Sequence, residues 1–157
     1  MDRKKSGIAA AIVVVTAIAA LGYAGWENAH PGFIDPSDQT LVMQGRQIYS
    51  NHCASCHGAD LQGQRNWRER MPNGRLPAPP HDESGHTWHH PDNVLIDLVK
   101  NGLVPGRTAP YGYKSDMPAY ANTLSDTEIV AVLAYIKSKW PAKVLEAQRA
   151  VTLEQRR

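Results

Sequence analysis

The chain has 157 residues, enough for one domain with short extensions, and only two cysteines, which excludes a fold held by several disulfides. Its formal net charge is +2. This small excess belongs to the Asp2–Lys5 flank, and the rest of the chain is balanced, which excludes the basic surface typical of nucleic-acid-binding proteins.

An apolar run without charged residues spans Gly7–Gly25, with basic residues before it and Trp26 after it. About 20 apolar residues suffice to cross a bilayer, and the basic flank predicts that the remainder of the chain lies outside the cytoplasm. We therefore predict that residues 1–26 form a single-pass anchor in the cytoplasmic membrane, with the following domain in the periplasm. A cleaved signal peptide with Ile8–Leu21 as its apolar core is the alternative.

Residues 27–36 form a predicted linker, and a first helix is predicted from Ser37 or Asp38 to about Ser50. Its apolar positions recur at helical spacing: Leu41, Val42, Gly45, Ile48 and Tyr49. Gly45 lies on this apolar stripe although glycine costs roughly 1 kcal/mol relative to alanine inside a helix. We therefore predict that another helix approaches closely at Gly45.

Directly after this helix comes the run Cys53-Ala54-Ser55-Cys56-His57. Two thiols at this spacing can form thioethers with the two vinyl groups of one haem, and the following histidine can bind the iron from one side. A thioredoxin-like dithiol would need a βαβ context that the surrounding sequence lacks. A zinc site would need four ligands at finger-like spacing, and His86 and His90 begin too far along the chain to supply them. The motif therefore predicts one covalently attached haem c.

The stretch from Leu61 to His81 contains four arginines and ends in Leu76-Pro77-Ala78-Pro79-Pro80, which predicts an irregular loop. Because prolines lack an N–H group, their carbonyls are left free. One of these carbonyls could accept the Nδ1 proton of His57 and fix its ring. An arginine, Trp67 or Trp88 is a candidate partner for a haem propionate.

Four histidines follow within ten residues: His81, His86, His89 and His90. They could form a second metal site, for instance for copper. The alternative is a capped loop that leads into a second helix from about Pro91 to Asn101, with Gly102 as its C-terminal cap.

The loop from Val104 to Asn122 contains Met117 directly before Pro118. A thioether is a soft iron ligand, and a loop stiffened by prolines can present it to the second axial position of a haem. Met117 is therefore the predicted distal ligand. The alternatives are that Met117 only fills the core, or that Met43 or Met71 binds the iron instead.

A last amphipathic helix is predicted from the capping box Ser125-Asp126-Thr127-Glu128 to Trp140, where Pro141 ends it. Ala131 and Ala134 give it a small-residue surface against which Gly45 could pack. The domain is thus predicted over residues 37–141, and residues 142–157 are predicted to be a charged tail or a frayed helix.

The haem motif at the end of a first helix, the late Met-Pro and the closing helix with Ala134-Tyr135-Ile136 occur in one order. In this the chain resembles a class I c-type cytochrome in its membrane-anchored bacterial form. The resemblance covers roughly Ser37 to Trp140. It implies an all-α fold of three to four helices around one covalent haem, plus the N-terminal transmembrane helix, with the first and last helices crossing. It also implies that Gly45 and Tyr49 meet the last helix near Leu133 and Ile136.

With His57 and Met117 both bound to iron, no position remains for a substrate, which predicts an electron carrier and not an enzyme. The expected partners are membrane-bound respiratory or photosynthetic complexes. A quinol-oxidising complex or dehydrogenase would be the donor, and a terminal oxidase or reductase the acceptor. Two alternatives stay open at this point: a haem enzyme or sensor with a labile distal ligand, and a His-rich metal-binding protein built on His81–His90.

Overall fold

The computed structural model describes residues 32–155. Within this range the chain forms five α-helices and no strand, which confirms the all-α prediction. They are α1 (Gln39–His52), α2 (Ala54–His57), α3 (Asp92–Asn101), α4 (Asp126–Lys137) and α5 (Ala142–Glu154), with a short 3-10 helix at Thr87–His89.

None of the helices between residues 32 and 155 has both the length and the apolar character that crossing a bilayer requires. The predicted anchor over residues 1–26 and the first half of the predicted linker lie outside the described residues.

Helix α1 begins where the sequence predicts. The carboxylate of Asp38 caps it by accepting hydrogen bonds from the backbone N–H groups of Thr40 and Leu41, at 3.0 and 3.1 Å. The buried face of α1 contains Gly45, Ile48 and Tyr49, in agreement with the predicted apolar stripe.

Helices α1 and α4 cross at Gly45, which confirms the predicted close approach. A Cβ atom on Gly45 would overlap the backbone carbonyl of Ala131 and lie 2.9 Å from the Cβ of Tyr135. One turn further along α1, the ring of Tyr49 packs against that of Tyr135, with centroids 5.4 Å apart. At Gly45 the contact falls on Ala131, which the predicted small-residue surface included, and on Tyr135, whereas the Leu133 and Ile136 that the family resemblance implied are not among the atoms nearest to Gly45. Ala131 and Tyr135 lie one turn apart on one face of α4, whereas Leu133 and Ile136 lie on another face of that helix.

Helices α3 and α4 both carry the predicted end signals. Pro91 is the N-cap of α3, and Gly102 ends the helix with φ of 73°, a left-handed conformation that favours glycine. Ser125 and Glu128 form the predicted capping box at the start of α4, with reciprocal side-chain and backbone hydrogen bonds. Helix α4 ends at Lys137, three residues earlier than predicted, and a turn leads on to Trp140.

The segment predicted to be a tail or a frayed helix contains the regular helix α5. Its Gln148 and Thr152 are buried. The amide Nε2 of Gln148 donates to the backbone carbonyl of His90 at 3.1 Å and to Oδ1 of Asp92 at 2.7 Å. The charged composition concealed this packing because the buried face of α5 uses polar residues, whose donors pair with Asp92 and with the backbone carbonyl of His90.

These contacts belong to a buried polar group that we call the Asp92 cluster, formed by Asp92, Lys137, Gln148, Thr152 and the backbone N–H of Ile34. The Lys137 ammonium donates to the two carboxylate oxygens of Asp92 at 2.8 and 2.9 Å, and the Ile34 N–H donates to Oδ2 at 2.6 Å. Burial lowers the pKa of Lys137 to about 8, although the neighbouring Asp92 carboxylate acts in the opposite direction. The cluster thus joins the segment before α1 to three helices.

Candidate haem site

The short helix α2 places the three residues of the predicted haem motif on one turn. Cys53 is its N-cap and is partly buried, Cys56 is exposed, and His57 is buried with 7% of its surface exposed. Gly58 ends the helix with φ of 83°, and its carbonyl accepts a hydrogen bond from the Tyr49 hydroxyl at 2.9 Å. The side chain of Tyr49, which belongs to α1, therefore holds α2 against α1.

No disulfide joins Cys53 and Cys56. Burial, and then the neighbouring Cys56, raises the pKa of the Cys53 thiol to about 11. Cys53 is therefore protonated at neutral pH, unlike the low-pKa thiolates of dithiol redox enzymes.

The imidazole of His57 has the protonation state that a metal ligand requires. Its Nδ1 lies 2.8 Å from the backbone carbonyl of Pro79, and because a carbonyl can only accept, Nδ1 carries the proton. Burial lowers the pKa of His57, so the ring is neutral and its Nε2 lone pair is left for a metal. The prediction that a proline carbonyl fixes His57 is confirmed, and that residue is Pro79.

The loop that supplies Pro79 is itself paired with the chain that follows α2. The backbone N–H of Gln64 donates to the Ala78 carbonyl at 2.9 Å, and the N–H of His81 donates to the Leu61 carbonyl at 2.7 Å. Gly63 is required here, because a Cβ atom on it would overlap the backbone of Pro80. These contacts set the position of the Pro79 carbonyl relative to His57.

The His-rich stretch surrounds this loop with aromatic contacts. His81 stacks on His57, with ring centroids 4.0 Å apart, and His86 stacks on Trp67 at 5.6 Å. Burial holds the pKa of His81 well below its usual value. Within residues 32–155, no set of three or more His, Cys, Asp or Glu side chains is arranged to bind a metal ion. The four histidines therefore do not converge on a second metal site in this structure.

Met117 lies half-buried in the loop between α3 and α4. Its backbone N–H donates to the hydroxyl of Ser115 at 3.0 Å. Arg75, from the loop after the haem motif, forms an ion pair with Asp116 and so ties the two loops together next to Met117. The role of Met117 as an iron ligand stays a prediction, as do the thioether roles of Cys53 and Cys56.

The side chains that hold this site in place were mostly not predicted. Thr87 bonds to His81, with the hydroxyl oxygen 2.9 Å from Nδ1, and the Trp140 indole N–H donates to the His81 carbonyl at 2.8 Å. Neither contact could be predicted from the local sequence. Trp140 is distant from His81 in the sequence, and Thr87 is a polar residue outside the α-helices, where no periodic pattern indicates its partner. The burial of Lys137, in contrast, could have been predicted from the sequence. Lys137 follows Leu133 by four residues and therefore lies on the apolar face of α4.

Comparison with known families shows which family the chain belongs to. A model of the family described as Cytochrome c matches residues 42–140. The chain belongs to the cytochrome c family. Membership supports a covalently bound haem c and electron transfer. The unpaired cysteines Cys53 and Cys56 and the oriented imidazole of His57 are residues that fit that cofactor.

Two relatives of this cytochrome c family member are subunits of larger assemblies. It is 57% identical over 30 residues to the Cbb3-type cytochrome c oxidase subunit FixP of Rhizobium meliloti (strain 1021), which is 19% of this chain and 10% of FixP. It is 26% identical over 154 residues to the Cytochrome bc1 complex cytochrome c subunit of Corynebacterium diphtheriae. That alignment covers 97% of this chain and 48% of the relative, so the chain spans at most about half the length of these relatives. No solved structure is significantly similar to it.

Proposed function

We propose that this protein is a mono-haem c-type cytochrome that passes single electrons between membrane-bound redox complexes. The observation that carries the proposal is the state of His57. A neutral, buried imidazole directs its proton to the Pro79 carbonyl and leaves the Nε2 lone pair for a metal, one residue after the second cysteine of the pair. This donor set matches what covalent attachment and axial ligation of one haem require.

In this proposal Cys53 and Cys56 form the two thioethers, His57 is the proximal ligand and Met117 the distal one. The bound haem would supply a one-electron Fe(II)/Fe(III) couple. The chain contributes the rest. Pro79 holds His57 in one tautomer, and the pairing of residues 61–64 with residues 78–81 keeps that carbonyl in place. If His57 and Met117 hold both axial positions, no position would remain for a substrate, and the protein would act as a carrier and not as an enzyme.

The partners follow from the relatives and from the charge. One relative is named as a subunit of a cbb3-type oxidase and another as a subunit of a bc1 complex. We infer a quinol-oxidising complex or dehydrogenase as the donor and a terminal oxidase or reductase as the acceptor. The balanced charge of the chain after residue 26 favours brief docking over a small interface, without strong electrostatic steering.

We also propose that residues 1–26 anchor the protein in the cytoplasmic membrane, with its haem domain in the periplasm. The uncharged run Gly7–Gly25 and the basic residues before it support this orientation. A protease added to intact spheroplasts should then digest the haem domain, whereas protection of that domain would contradict the proposed orientation.

The central test is purification of the exported protein followed by denaturation and acid-acetone extraction. A covalent haem stays with the polypeptide, whereas a colourless protein, or one that releases its pigment, overturns the proposal. Replacing Cys53 or Cys56 by serine should leave one thioether and shift the reduced absorption band to longer wavelength.

The distal ligand is tested by Met117→Leu, with Met43→Leu as the matched control because Met43 is exposed. We expect Met117→Leu to abolish the methionine-to-iron charge-transfer band, to lower the midpoint potential and to allow CO binding to the reduced protein. Met43→Leu should change none of these properties. A Met117→Leu protein that keeps the band would assign the distal position to another residue.

A further inference from the structure

The hydrogen bond to Pro79 does not by itself fix the plane of the His57 ring. It restrains the position of Nδ1, 2.8 Å from the Pro79 carbonyl, but a hydrogen bond tolerates a range of angles, so limited turns of the ring about its Cβ–Cγ bond remain possible. The torsion that turns a histidine ring is broad, so it offers little resistance. A second contact, against the face of the ring, is needed to hold the plane.

His81 supplies that contact. The two imidazole rings lie with their centroids 4.0 Å apart and their planes inclined by only 22°. At this distance a turn of the His57 ring would drive its edge into the face of His81. A rounded aliphatic side chain would fill the same volume but would allow a range of ring orientations.

His81 can act in this way because it is itself held at three points. Its N–H donates to the Leu61 carbonyl at 2.7 Å, and its carbonyl accepts from the Trp140 indole at 2.8 Å. Its Nδ1 lies 2.9 Å from the hydroxyl of Thr87, which is itself buried with 8% of its surface exposed. The first two contacts fix the backbone of His81, and the third fixes its ring.

We propose that His81 is a positioning residue that sets the orientation of the His57 imidazole plane beneath the haem. The inference rests on the proposed role of His57 as the proximal ligand and adds a role for His81 that ligation alone does not require. The plane of an axial imidazole determines which of two iron d orbitals mixes with the ring π electrons. An imidazole plane held in one orientation therefore gives ferric iron one well-defined magnetic anisotropy. An imidazole whose plane varies from molecule to molecule gives a distribution of anisotropies.

The experiment compares His81→Phe with His81→Leu in the ferric holoprotein. Phenylalanine keeps a flat face against His57, and leucine keeps apolar volume without one. We expect the low-field EPR resonance and the spread of haem-methyl NMR shifts to stay close to wild type in His81→Phe. In His81→Leu the EPR resonance should broaden and shift, and the midpoint potential should move with it. His86→Leu is the matched control, because His86 stacks on Trp67 and not on His57, and its spectra should be unchanged.

Two results would overturn the proposal. One is a His81→Leu holoprotein with wild-type spectra, and the other is an equal change in the phenylalanine and leucine variants, which would indicate a structural role only. If His81→Leu takes up no haem, Thr87→Val decides, because it removes the hydrogen bond that holds the His81 ring while keeping both imidazoles. A broadened EPR resonance in Thr87→Val supports the proposal and an unchanged one overturns it. A colourless wild-type protein would instead overturn the proposed function.

Discussion

Asp92 shows how single residues determine the stability of this domain. Asp92 is 4% exposed, and its carboxylate accepts hydrogen bonds from the Lys137 ammonium, the Gln148 amide and the Ile34 N–H. These partners compensate the charge of the buried Asp92 carboxylate. Removing either Asp92 or Lys137 would leave the charge of the other unpaired in a low-dielectric environment. The two charges should therefore be far more sensitive to substitution than ion pairs at the surface.

We expect Lys137→Met to lower the free energy of unfolding by about 3–5 kcal/mol. Methionine has a side chain of similar length, so the substitution leaves Asp92 buried without a counter-ion. The matched control is Lys100→Met. Lys100 pairs with Asp126 at 2.6 Å, but both side chains are exposed, so its loss should cost about 1 kcal/mol or less. Denaturant unfolding of the holoproteins measures both values. Equal costs for the two variants would contradict the importance given to burial.

Glu128 gives a prediction for pH dependence. The backbone N–H and then the hydroxyl of Ser125 donate to its carboxylate, and these hydrogen bonds lower its pKa from the ordinary value of 4.5. A group with a lowered folded-state pKa stabilises the fold above its unfolded-state pKa, and this stabilisation is lost as the pH falls through the folded-state pKa.

The difference in unfolding free energy between wild type and Glu128→Gln should therefore be largest near neutral pH and shrink in acid, where protonated Glu128 resembles glutamine. Unfolding curves at a series of pH values measure it. In a Ser125→Ala background the pH-dependent part should be smaller, because one donor is gone. A difference that stays constant down to acid pH would show that the capping carboxylate does not contribute through its charge.

At the scale of helices, the fold depends on the crossing of α1 and α4. Gly45 allows the backbone of α1 to touch the Ala131 carbonyl, and Tyr49 and Tyr135 continue the contact along the same faces. Helix α2 follows α1 directly, so the α1–α4 crossing also sets the position of His57 relative to α4. Close packing here thus connects the core to the candidate haem site.

Gly45→Ala tests this crossing. Alanine improves helix propensity by about 1 kcal/mol. The new methyl group, however, would overlap backbone atoms, which cannot move aside as a flexible side chain could. Overpacking typically costs about 1–3 kcal/mol and can cost more against backbone. We therefore expect a net loss of unfolding free energy.

The control for Gly45→Ala is Gln44→Ala, at an exposed position of the same helix, which should be neutral or slightly stabilising. Thermal unfolding of both variants separates propensity from packing. A Gly45→Ala protein as stable as Gln44→Ala would mean that the two helices can separate without cost.

The sequence predicted local features well and long-range partners poorly. Asp38, Gly102 and the Ser125–Glu128 capping box were predictable because a helix end is determined by neighbours within four residues. Gly45 was predictable because a glycine on an apolar stripe requires a close neighbour. Its partner Ala131 was predictable because it belongs to a small-residue surface on α4, but Tyr135 was not, because a crossing register depends on how both helices pack.

The same distinction applies at the candidate site. The haem motif is contiguous, so Cys53, Cys56 and His57 could be predicted, and the proline run suggested the carbonyl that His57 uses. The stack of His81 on His57 could not be predicted, because it depends on the pairing of residues 61–64 with 78–81 and on Thr87 and Trp140.

At the scale of the whole molecule, segments outside the family match complete the packing. The match covers residues 42–140, whereas Ile34 precedes it and α5 follows it, and both reach Asp92. Phe33 adds to this arrangement, because its ring lies 3.6 Å from the Lys137 ammonium and 5.2 Å from the Arg149 guanidinium. The two ends of the described chain therefore stabilise the same buried charges.

We predict that a chain ended after Pro141 has a free energy of unfolding about 3 kcal/mol or more below that of the full chain. Without α5, Asp92 loses the Gln148 amide, its backbone N–H loses the Thr152 hydroxyl at 3.1 Å, and the His90 carbonyl loses its donor. Each buried polar group left unpaired costs about 1–3 kcal/mol, and water entering the opened face recovers part of this cost.

A chain ended after Leu153 is the matched control, since it keeps Gln148 and Thr152, and its stability should be close to that of the full chain. Denaturant unfolding of both truncated holoproteins provides the comparison. If ending the chain after Pro141 changes stability no more than ending it after Leu153, then α5 is an appendage. In that case Asp92 must be stabilised by Lys137 and Ile34 alone, and Lys137→Met should cost the same with or without α5.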